Sequence, residues 1–253
     1  MTLSAVVTVH NEEARIADCL AALSFTDEIV VVLDRCTDGT RAIAQRFTER
    51  LIEGAWQLEG ARRNAGIEAA RGDWILEVDA DERVSPALAS EIRDTTTRSR
   101  FDWHEIPVDN YIGSKLVRHG WGASFGRSAY AGLFRKPAKR WGMERVHPKL
   151  AFKGRKGPRL ANPLAHYVDR DISDMLRRLD RYTSLRAQDL RASGNIGSFA
   201  GNVRRIFSRF FKCYVSRKGY KEGGYGFLIA LCAGLYPILS YLKARHEGEW
   251  PTS

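Results

Sequence analysis

The sequence predicts an α/β protein in which a mostly parallel sheet carries helices on its faces and a basic helical region follows. Three short apolar runs, Leu3 to Val9, Glu28 to Leu33 and Trp74 to Val78, have the composition of buried strands. Helical patterns separate them, and a β-α-β-α-β order favours parallel strands joined by crossover helices. The pattern changes near residue 170, so we expect domains at residues 1–170 and 171–253.

The helices of the first domain are indicated by apolar spacing and by residues that begin helices. The predicted segments are residues 12–23, 38–47 and 60–70, and a fourth helix that begins at Ser85 and Pro86. Serine followed by proline is typical of a helix N-terminus, because the hydroxyl accepts a free backbone N–H and proline lacks one. Thr37 and Asp38 predict a similar cap for the second helix.

Composition and charge limit the function classes. The chain has 253 residues, 44% hydrophobic and 28% charged, which is typical of one folded domain, or of one domain plus an appendage, and excludes a disordered chain. Its net charge of +10 is unevenly distributed: residues 1–110 hold 12 basic and 21 acidic residues, and residues 111–253 hold 28 and 9. The basic part therefore faces something anionic, such as phosphate, nucleic acid or acidic lipid.

Cysteine spacing and the apolar segments bear on the cellular location. The four cysteines are far apart and form no C-x-x-C pair, which argues against a zinc ribbon or a disulfide framework and fits a reducing cytosol. The N-terminus shows no secretory signal pattern. The longest apolar run, residues 226–242, has 17 residues. Because a bilayer span needs about 20, we expect this run to lie at the membrane interface or against partner helices.

Acidic residues follow every predicted strand of the first domain. The three segments are His10 to Glu13, Asp34 to Thr40 and Asp79 to Glu82. Ligands of parallel sheets bind at the carboxyl ends of the strands. Carboxylates repel phosphates unless a divalent cation lies between them, so the pattern predicts a metal-assisted phosphate site. Asp79 and Asp81 alone would fit a simple cap of the next turn equally well.

Three motifs together carry a family resemblance. The stretches VVTVHNEE (6–13), DEIVVVLDRCTDGT (27–40) and GARRNAGIEAARGDWILEVDADE (60–82) resemble the opening of inverting family 2 glycosyltransferases with the GT-A fold, over about the first hundred residues. The resemblance implies a nucleotide diphosphate sugar donor, usually a UDP-sugar, with Mg²⁺ or Mn²⁺ as cofactor. Cys36 stands where serine is common in the family, at a position we interpret as packing.

The resemblance also implies roles for individual residues. It assigns Thr8, His10, Asn11 and Glu12 to the uracil and ribose pocket, Asp34 to the base or ribose, Arg62 to the uracil or diphosphate, Asp79 to the ribose or metal, and Asp81 to the metal. For Arg62 and Arg63 the alternative is a solvated helix face.

A second, looser resemblance extends along most of the chain. GMERVHPKL (142–150), the Ser128 to Arg135 segment and a lone His166 resemble the family branch that glycosylates the lipopolysaccharide inner core, often adding glucose to a heptose. It implies UDP-glucose as donor and a lipid-linked glycan, such as lipopolysaccharide core, as acceptor. A polyprenyl phosphate is the rival acceptor.

Inverting transfer to a hydroxyl needs a general base, and the leaving diphosphate needs cationic help. We expect Glu144 as the base, with Asp109 second; a surface ion pair is the alternative role for Glu144. The cationic candidates are Arg135 and Lys149. His147 could complete a metal shell or bind phosphate, as could His166, although both could equally be structural histidines.

The last third of the chain predicts attachment to a membrane. Residues 172–192 and 199–221 alternate apolar or aromatic residues with arginine and lysine, which is typical of helices at an anionic membrane surface. We therefore expect a peripheral or monotopic protein on the cytoplasmic face of the inner membrane. The alternatives are helices that only pack on the catalytic domain, and a nucleic-acid surface. The acidic strand ends argue against the latter, so we expect no nucleic-acid partner.

Overall fold

The computed structural model describes residues 1–122, 126–143 and 149–247, which divide into two compact units. The first unit comprises residues 1–108 and 129–166, and the second comprises residues 109–128 and 167 to the C-terminus. The predicted boundary at residue 170 lies close to the later of these divisions. The inclusion of residues 109–128 in the second unit has no counterpart in the sequence pattern.

The first unit is a mixed sheet with helices between its parallel strands. In chain order its elements are β1 (Leu3–Val9), α1 (Ile16–Ala21), β2 (Glu28–Asp34), α2 (Thr40–Ala44), β3 (Leu51–Gly54), α3 (Glu59–Ala69), β4 (Trp74–Asp79), β5 (Glu82–Arg83), α4 (Pro86–Arg98), β6 (Trp103–Ile112), β8 (Ala129–Arg135), β9 (Lys139–Trp141), β10 (Leu150–Phe152) and β11 (Leu164–Asp169), with β7 (Lys115–Val117) in the second unit. Strands β6 and β11 continue from the first unit into the second.

The strand order confirms the predicted mostly parallel sheet. Strands β3, β2, β1 and β4 are neighbours in that order and all parallel. β8 then pairs antiparallel with β4, and β6 pairs antiparallel with β8. The seven residues of β1 are all buried, as a central strand covered on both faces requires. The hydrophobic core around β1 includes Trp74 and Leu76 of β4, which pack with Ile16 and Leu20 of α1.

Two helix predictions need correction. α1 and α2 have only six and five residues, because the segments before them form loops that contact each other. Thr37 and Asp38 do not cap α2 at its N-cap position, which is Gly39. Asp38 instead accepts hydrogen bonds from the backbone N–H groups of Thr40 and Glu13, at 3.0 and 3.1 Å. The predicted cap of α4 is present, since Ser85 Oγ accepts the N–H of Leu88 at 3.2 Å.

The second unit is mainly helical. Its helices are α5 (Ile172–Ala192), α6 (Phe199–Phe211) and α7 (Gly223–His246), and a π-helical turn, Lys212–Ser216, and a 3-10 turn, Gly219–Glu222, connect α6 to α7. α7 packs against both α5 and α6, and Ile229 and Ala233 of α7 share a core with Met175 and Leu179 of α5. The apolar run at residues 226–242 therefore packs against partner helices.

α7 is also the one helix of the described ranges that is long and apolar enough to cross a bilayer. The segment 219–246 has a mean hydropathy of 1.7 over its most apolar window. A little more than half of that window is buried inside the protein. Length and composition alone therefore do not make it a membrane span, because a core helix has the same properties.

The charge of each unit differs from that of the two sequence halves. The first unit holds 22 basic and 21 acidic residues, and the second holds 18 and 9. The first unit is close to neutral because residues 129–166 contribute ten bases to it. The basic excess thus belongs to the helical unit, whereas the acidic excess of residues 1–110 does not extend over a whole unit.

Candidate functional site

The polar residues that end the parallel strands lie along one edge of the sheet. Thr8 of β1 pairs in register with Val32 of β2 on one side and with Asp79 of β4 on the other. Asp34 ends β2 on the same edge. The hydroxyl of Thr8 is buried and has no hydrogen-bond partner among the residues that the structure describes. A buried polar atom without a partner is uncommon and fits a group that binds a ligand.

The loops after β1 and β2 are held together by side chains. His10 Nδ1 lies 2.7 Å from the carbonyl oxygen of Asp34, and Asn11 Oδ1 accepts the N–H of Thr37 at 2.8 Å. The N–H of Glu12 donates to Thr40 Oγ1 at 2.7 Å. These contacts bring together residues separated by about twenty-five positions and order the predicted uracil and ribose pocket.

Two residues in these loops have a left-handed backbone that is uncommon outside glycine. Asn11 has a φ of 54° and Arg35 a φ of 49°, each just after the end of a strand. Asparagine tolerates this conformation well, but arginine does not. Backbone strain of this kind is concentrated at functional sites, so its occurrence after both strands supports this edge as the candidate site.

Asp34 is a buried carboxylate held by two arginines. Arg35 donates to both of its oxygens at 3.0 Å, and Arg62 Nη1 lies 3.4 Å from Oδ2. The N–H of Trp56 also donates to Asp34 Oδ1, at 3.2 Å. Burial raises the pKa of Asp34, but these hydrogen bonds and charges outweigh it and hold the pKa below its ordinary value. Asp34 therefore remains an anion that can accept hydrogen bonds from a ligand.

Asp79 is paired with Arg63 of α3. Arg63 Nη1 lies 3.0 Å from Asp79 Oδ1, and its Nε donates to Glu59 at 2.9 Å. Its side chain is only 12% exposed, so the interpretation of a solvated helix face is wrong for Arg63. Burial lowers the pKa of Arg63, but the carboxylates of Asp79 and Glu77 raise it above the ordinary value. Arg63 is thus a fixed cation directly beside Asp79.

A buried ion pair lies behind this contact. Lys139 of β9 pairs with Glu77 of β4, and both side chains are almost fully buried. Trp141 Nε1 donates to the other oxygen of Glu77 at 2.8 Å. The Arg63 guanidinium lies 4.8 Å from the centre of the Trp141 ring, which favours a cation–π contact. Asn64 completes the network by hydrogen bonding to the backbone N–H and carbonyl of Trp141.

Asp81 has a histidine and an arginine as neighbours. His166 Nε2 lies 3.3 Å and Arg15 Nη1 3.8 Å from Asp81 Oδ2. β5 pairs antiparallel with β11, and this pairing places His166 opposite Glu82. His166 therefore lies beside Asp81, the residue before Glu82. Glu82 in turn closes the turn after β4, because its carboxylate accepts the N–H of Asp79 at 2.9 Å.

The donor set at Asp81 fits a divalent cation that is shared with a ligand. Among the described residues, no three histidine, cysteine or acidic side chains are grouped as a complete metal site. Mg²⁺ commonly takes one or two protein carboxylates and completes its shell with water and substrate phosphates. Asp81 and His166 could supply the protein part of such a shell.

The structure does not gather all predicted site residues at this edge. Arg135 pairs in register with Trp74, the first residue of β4, so it lies about 16 Å along the strand from Asp79. There its guanidinium stacks on Trp74 and lies 3.8 Å from Asp102. This position does not support the predicted contact of Arg135 with the leaving diphosphate.

The remaining predicted site residues lie in other parts of the chain or outside the residues that the structure describes. Lys149 is an exposed residue whose carbonyl accepts the N–H of Gly142, at the open end of the β9–β10 pair. Asp109 belongs to the second unit, where Arg118 lies 3.8 Å from its carboxylate. Glu144 and His147 lie outside the described residues, so their predicted roles stay predictions.

Comparison with known proteins identifies the domain. Residues 4–112 match the family model described as Glycosyl transferase family 2. The chain carries a family 2 glycosyltransferase domain. This match includes all three motifs of the sequence and every strand-end residue of the candidate site, and it supports the glycosyltransferase activity that the resemblance implies.

Relatives and solved structures extend the likeness beyond that domain. The chain is 23% identical to the lipopolysaccharide core biosynthesis glycosyltransferase LpsC of Rhizobium meliloti, over 96% of this chain and 92% of LpsC. It is 24% identical to an uncharacterized glycosyltransferase of Rickettsia felis, over 97% and 90%. The crystal structure of S. aureus TarS 1–349 in complex with UDP matches with a TM-score of 0.52 at 14% identity, over 98% of this chain and 92% of that one. The fold is GT-A-like, as predicted.

Three participants in the site were missed or undervalued by sequence reasoning. Arg63 carried a local signal, because Glu59 four residues earlier offers a helical ion pair. Glu77 carried one as well, since an acid inside an apolar strand requires a buried partner. His166 lies 85 positions after Asp81, and only the pairing of β5 with β11 reveals that they meet.

Proposed function

We propose that this protein is a metal-dependent, inverting glycosyltransferase that moves a sugar, most simply glucose, from a UDP-sugar to a hydroxyl of a lipopolysaccharide-core or other lipid-linked glycan. The observation that carries the proposal is the strand edge where Asp79 is fixed by Arg63 and Asp81 meets His166. An acidic edge suits a diphosphate only through a cation, and the pairing of Asp79 leaves Asp81 as the better placed ligand.

The donor pocket is the part of the proposal best supported by geometry. The buried, unpaired hydroxyl of Thr8 and the anion of Asp34 offer acceptors for the N–H and O–H groups of a uridine. His10, Asn11 and Glu12 lie in the loop after β1, which is hydrogen bonded to the segment after β2, and Arg62 of α3 pairs with Asp34. The similarity to TarS, which has been crystallised with UDP, supports the same nucleotide.

Asp81 and His166 would hold the divalent cation, Mg²⁺ or Mn²⁺, with diphosphate oxygens of the donor completing its shell. When bound, the cation offsets the negative charge that develops on the leaving diphosphate. Arg63 fixes the carboxylate of Asp79, so that Asp79 can accept a ribose hydroxyl without turning towards the cation. Lys149 is the remaining candidate for a further cationic contact.

The acceptor hydroxyl must lose its proton as it attacks the anomeric carbon. We propose Glu144 as the general base and Asp109 as the alternative, since a carboxylate within hydrogen-bond reach can take that proton. The full-length similarity to LpsC supports a lipopolysaccharide-core acceptor. Such an acceptor is lipid-linked, which agrees with peripheral attachment to the cytoplasmic face of the inner membrane.

A donor screen tests the activity. Purified protein is incubated with individual UDP-sugars, with Mn²⁺, Mg²⁺ or a chelator, and with or without a truncated lipopolysaccharide core, and released UDP is measured. We expect UDP release from one UDP-sugar that requires metal and rises with acceptor. Absence of UDP release from every UDP-sugar, with metal and acceptor present, would contradict the proposal.

Variants then test the roles. Asp81→Ala should lower metal-dependent UDP release by about 10²-fold or more, because it removes the proposed metal ligand. Asp94→Asn, which neutralises an exposed acid on α4, is the matched control and should have wild-type activity. Loss of activity in Glu144→Gln identifies that base, and loss in Asp109→Asn identifies the alternative. Activity that survives both substitutions favours the polyprenyl phosphate acceptor, whose phosphate needs no base.

A further inference from the structure

The second unit exposes a row of apolar side chains along α6 and the π-helical turn. Phe207, Phe211 and Val215 follow one another at intervals of four residues and are 70%, 59% and 43% exposed. Residues four apart lie on the same face of a helix, so the three side chains form one continuous strip. We call this strip the α6 apolar row.

The other face of α6 already has its packing partners. Phe210 stacks with Tyr214 and meets Phe227 edge to face, with ring centres 5.4 and 5.6 Å apart. Gly234 of α7 lies so close to Ile206 that an added Cβ would be 2.8 Å from its carbonyl oxygen. The helix is therefore anchored within its unit by one face, and Phe207 and Phe211 are not needed for that packing.

Basic residues accompany the α6 apolar row in a chain segment that contains no acidic residues. Residues 190–221 contain eight lysines and arginines and no aspartate or glutamate. Arg204 precedes Phe207 by three positions and Phe211 by seven, which puts it on the same face, and both Arg204 and Lys212 are exposed. Exposed phenylalanines framed by bases have the chemistry of an anionic lipid surface.

α5 and α6 differ in how their basic residues are paired, and this difference bears on which helix contacts a membrane. α5 is also basic, but it carries its own acids: Asp174 pairs with Arg170 and Arg177, both at 3.0 Å. Arg178 pairs with Asp169 at 2.8 Å. The sequence alone made both helices candidates for membrane contact. Their charges now favour α6, because its bases have no acidic neighbours in the chain segment around them.

We propose that the α6 apolar row, with Arg204 and Lys212, docks the protein onto a bilayer of anionic phospholipid. The phenylalanines enter the boundary between headgroups and acyl chains, and the bases contact lipid phosphates. Val215 favours lipid over single-stranded nucleic acid, since valine has no ring on which a base can stack. The inference deepens the proposed function, on which it rests for the lipid-linked acceptor.

Vesicle sedimentation tests the docking surface with the full chain. Wild-type protein should sediment with vesicles of phosphatidylglycerol mixed with phosphatidylcholine, much less with phosphatidylcholine alone, and less as salt rises. The double variant Phe207→Ser/Phe211→Ser should bind at least about tenfold more weakly, because two large apolar side chains are lost from the contact. Phe47→Ser, at an exposed phenylalanine of the first unit, should bind like the wild type.

Other occupants of the surface give different results. If the wild type fails to bind anionic vesicles, or the double variant binds them equally well, the proposal is overturned. It is also overturned if the wild type binds an oligonucleotide in place of vesicles, or if it forms a dimer that the double substitution dissociates while vesicles are ignored. Circular dichroism confirms that the variant is folded.

The same samples separate this proposal from the proposed activity. Metal-dependent UDP release in the absence of vesicles should be unchanged in the double variant, because the substitutions lie outside the donor site. Vesicle binding without any UDP release would contradict the proposed activity and leave the docking surface supported. UDP release without vesicle binding would contradict the docking surface and leave the proposed activity supported.

Discussion

The strand edge of the first unit and the exposed face of α6 use charge in opposite ways. At the strand edge three carboxylates have basic partners: Asp34 has Arg62, Asp79 has Arg63, and Glu77 has Lys139. On α6, Arg204 and Arg205 are exposed beside exposed phenylalanines in a segment without acids. Paired charges fix the geometry of a small site, whereas exposed charges of one sign attract an extended anionic surface. The difference therefore indicates what each region binds.

The largest effect expected from this comparison is on stability. Lys139→Met should lower the free energy of unfolding by about 3–5 kcal/mol, because it leaves the buried Glu77 carboxylate without its cation. The control is Lys156→Met, which breaks a half-exposed pair with Glu105 and should cost about 1 kcal/mol or less. Urea unfolding of both variants measures the difference. Equal losses would show that the buried pair has no special role at the strand edge.

A smaller effect is expected on metal use. His166→Ala should raise the Mn²⁺ concentration needed for half-maximal UDP release by about 10- to 100-fold, because Asp81 loses its neighbouring ligand or orienting partner. Raising the Mn²⁺ concentration should restore much of the rate. His119→Ala, in the second unit, is the control. A variant whose metal titration matches the wild type would show that His166 is a structural histidine.

The pH dependence of stability tests the pairing of Asp34. Its folded pKa lies below the unfolded value, so its contribution is present above about pH 4 and is lost as the pH falls through the folded pKa. Asp34→Asn should therefore unfold more easily at neutral pH, and its stability should decline less on acidification than that of the wild type. Parallel stability curves for the two proteins below pH 4 would contradict the assigned pairing.

The smallest effects should come from single bases of the docking surface. Arg204→Gln and Lys212→Gln should each weaken binding to phosphatidylglycerol vesicles by about fivefold, since one base near an anionic leaflet contributes about 1 kcal/mol. Arg177→Gln, on α5, should change binding less, because that arginine is paired with Asp174. Sedimentation at low salt measures all three. A larger effect from Arg177 would move the contact to α5.

Local sequence patterns predicted the parallel strands and the residues at their ends. β1, β2 and β4 begin and end within one residue of their predicted bounds, because a continuous apolar run in the sequence predicts a buried strand. β3 was not predicted, since three of its four residues are only partly buried, Glu53 is exposed, and the strand lacks such a run. The family motifs then placed Asp34, Asp79 and Asp81 on the edge where the structure has them.

Features that depend on long-range pairing were not predictable in this way. Arg135 ends a strand, and residues that end parallel strands reach the site edge, but β8 runs antiparallel to β4 and so carries Arg135 to the opposite edge. His166 reaches Asp81 only through the pairing of β5 with β11. Periodicity shows which residues share a face within an element. It does not show which elements become neighbours.

We propose that the strand edge around Asp81 binds the donor independently of the α6 apolar row. Calorimetric titration of UDP, with and without Mn²⁺, tests it on the wild type, Asp81→Ala and Phe207→Ser/Phe211→Ser. We expect Mn²⁺ to strengthen UDP binding equally in the wild type and the double variant, and we expect Asp81→Ala to lose this strengthening. Metal-dependent UDP binding that is unchanged in Asp81→Ala would show that Asp81 does not hold the cation of a donor site.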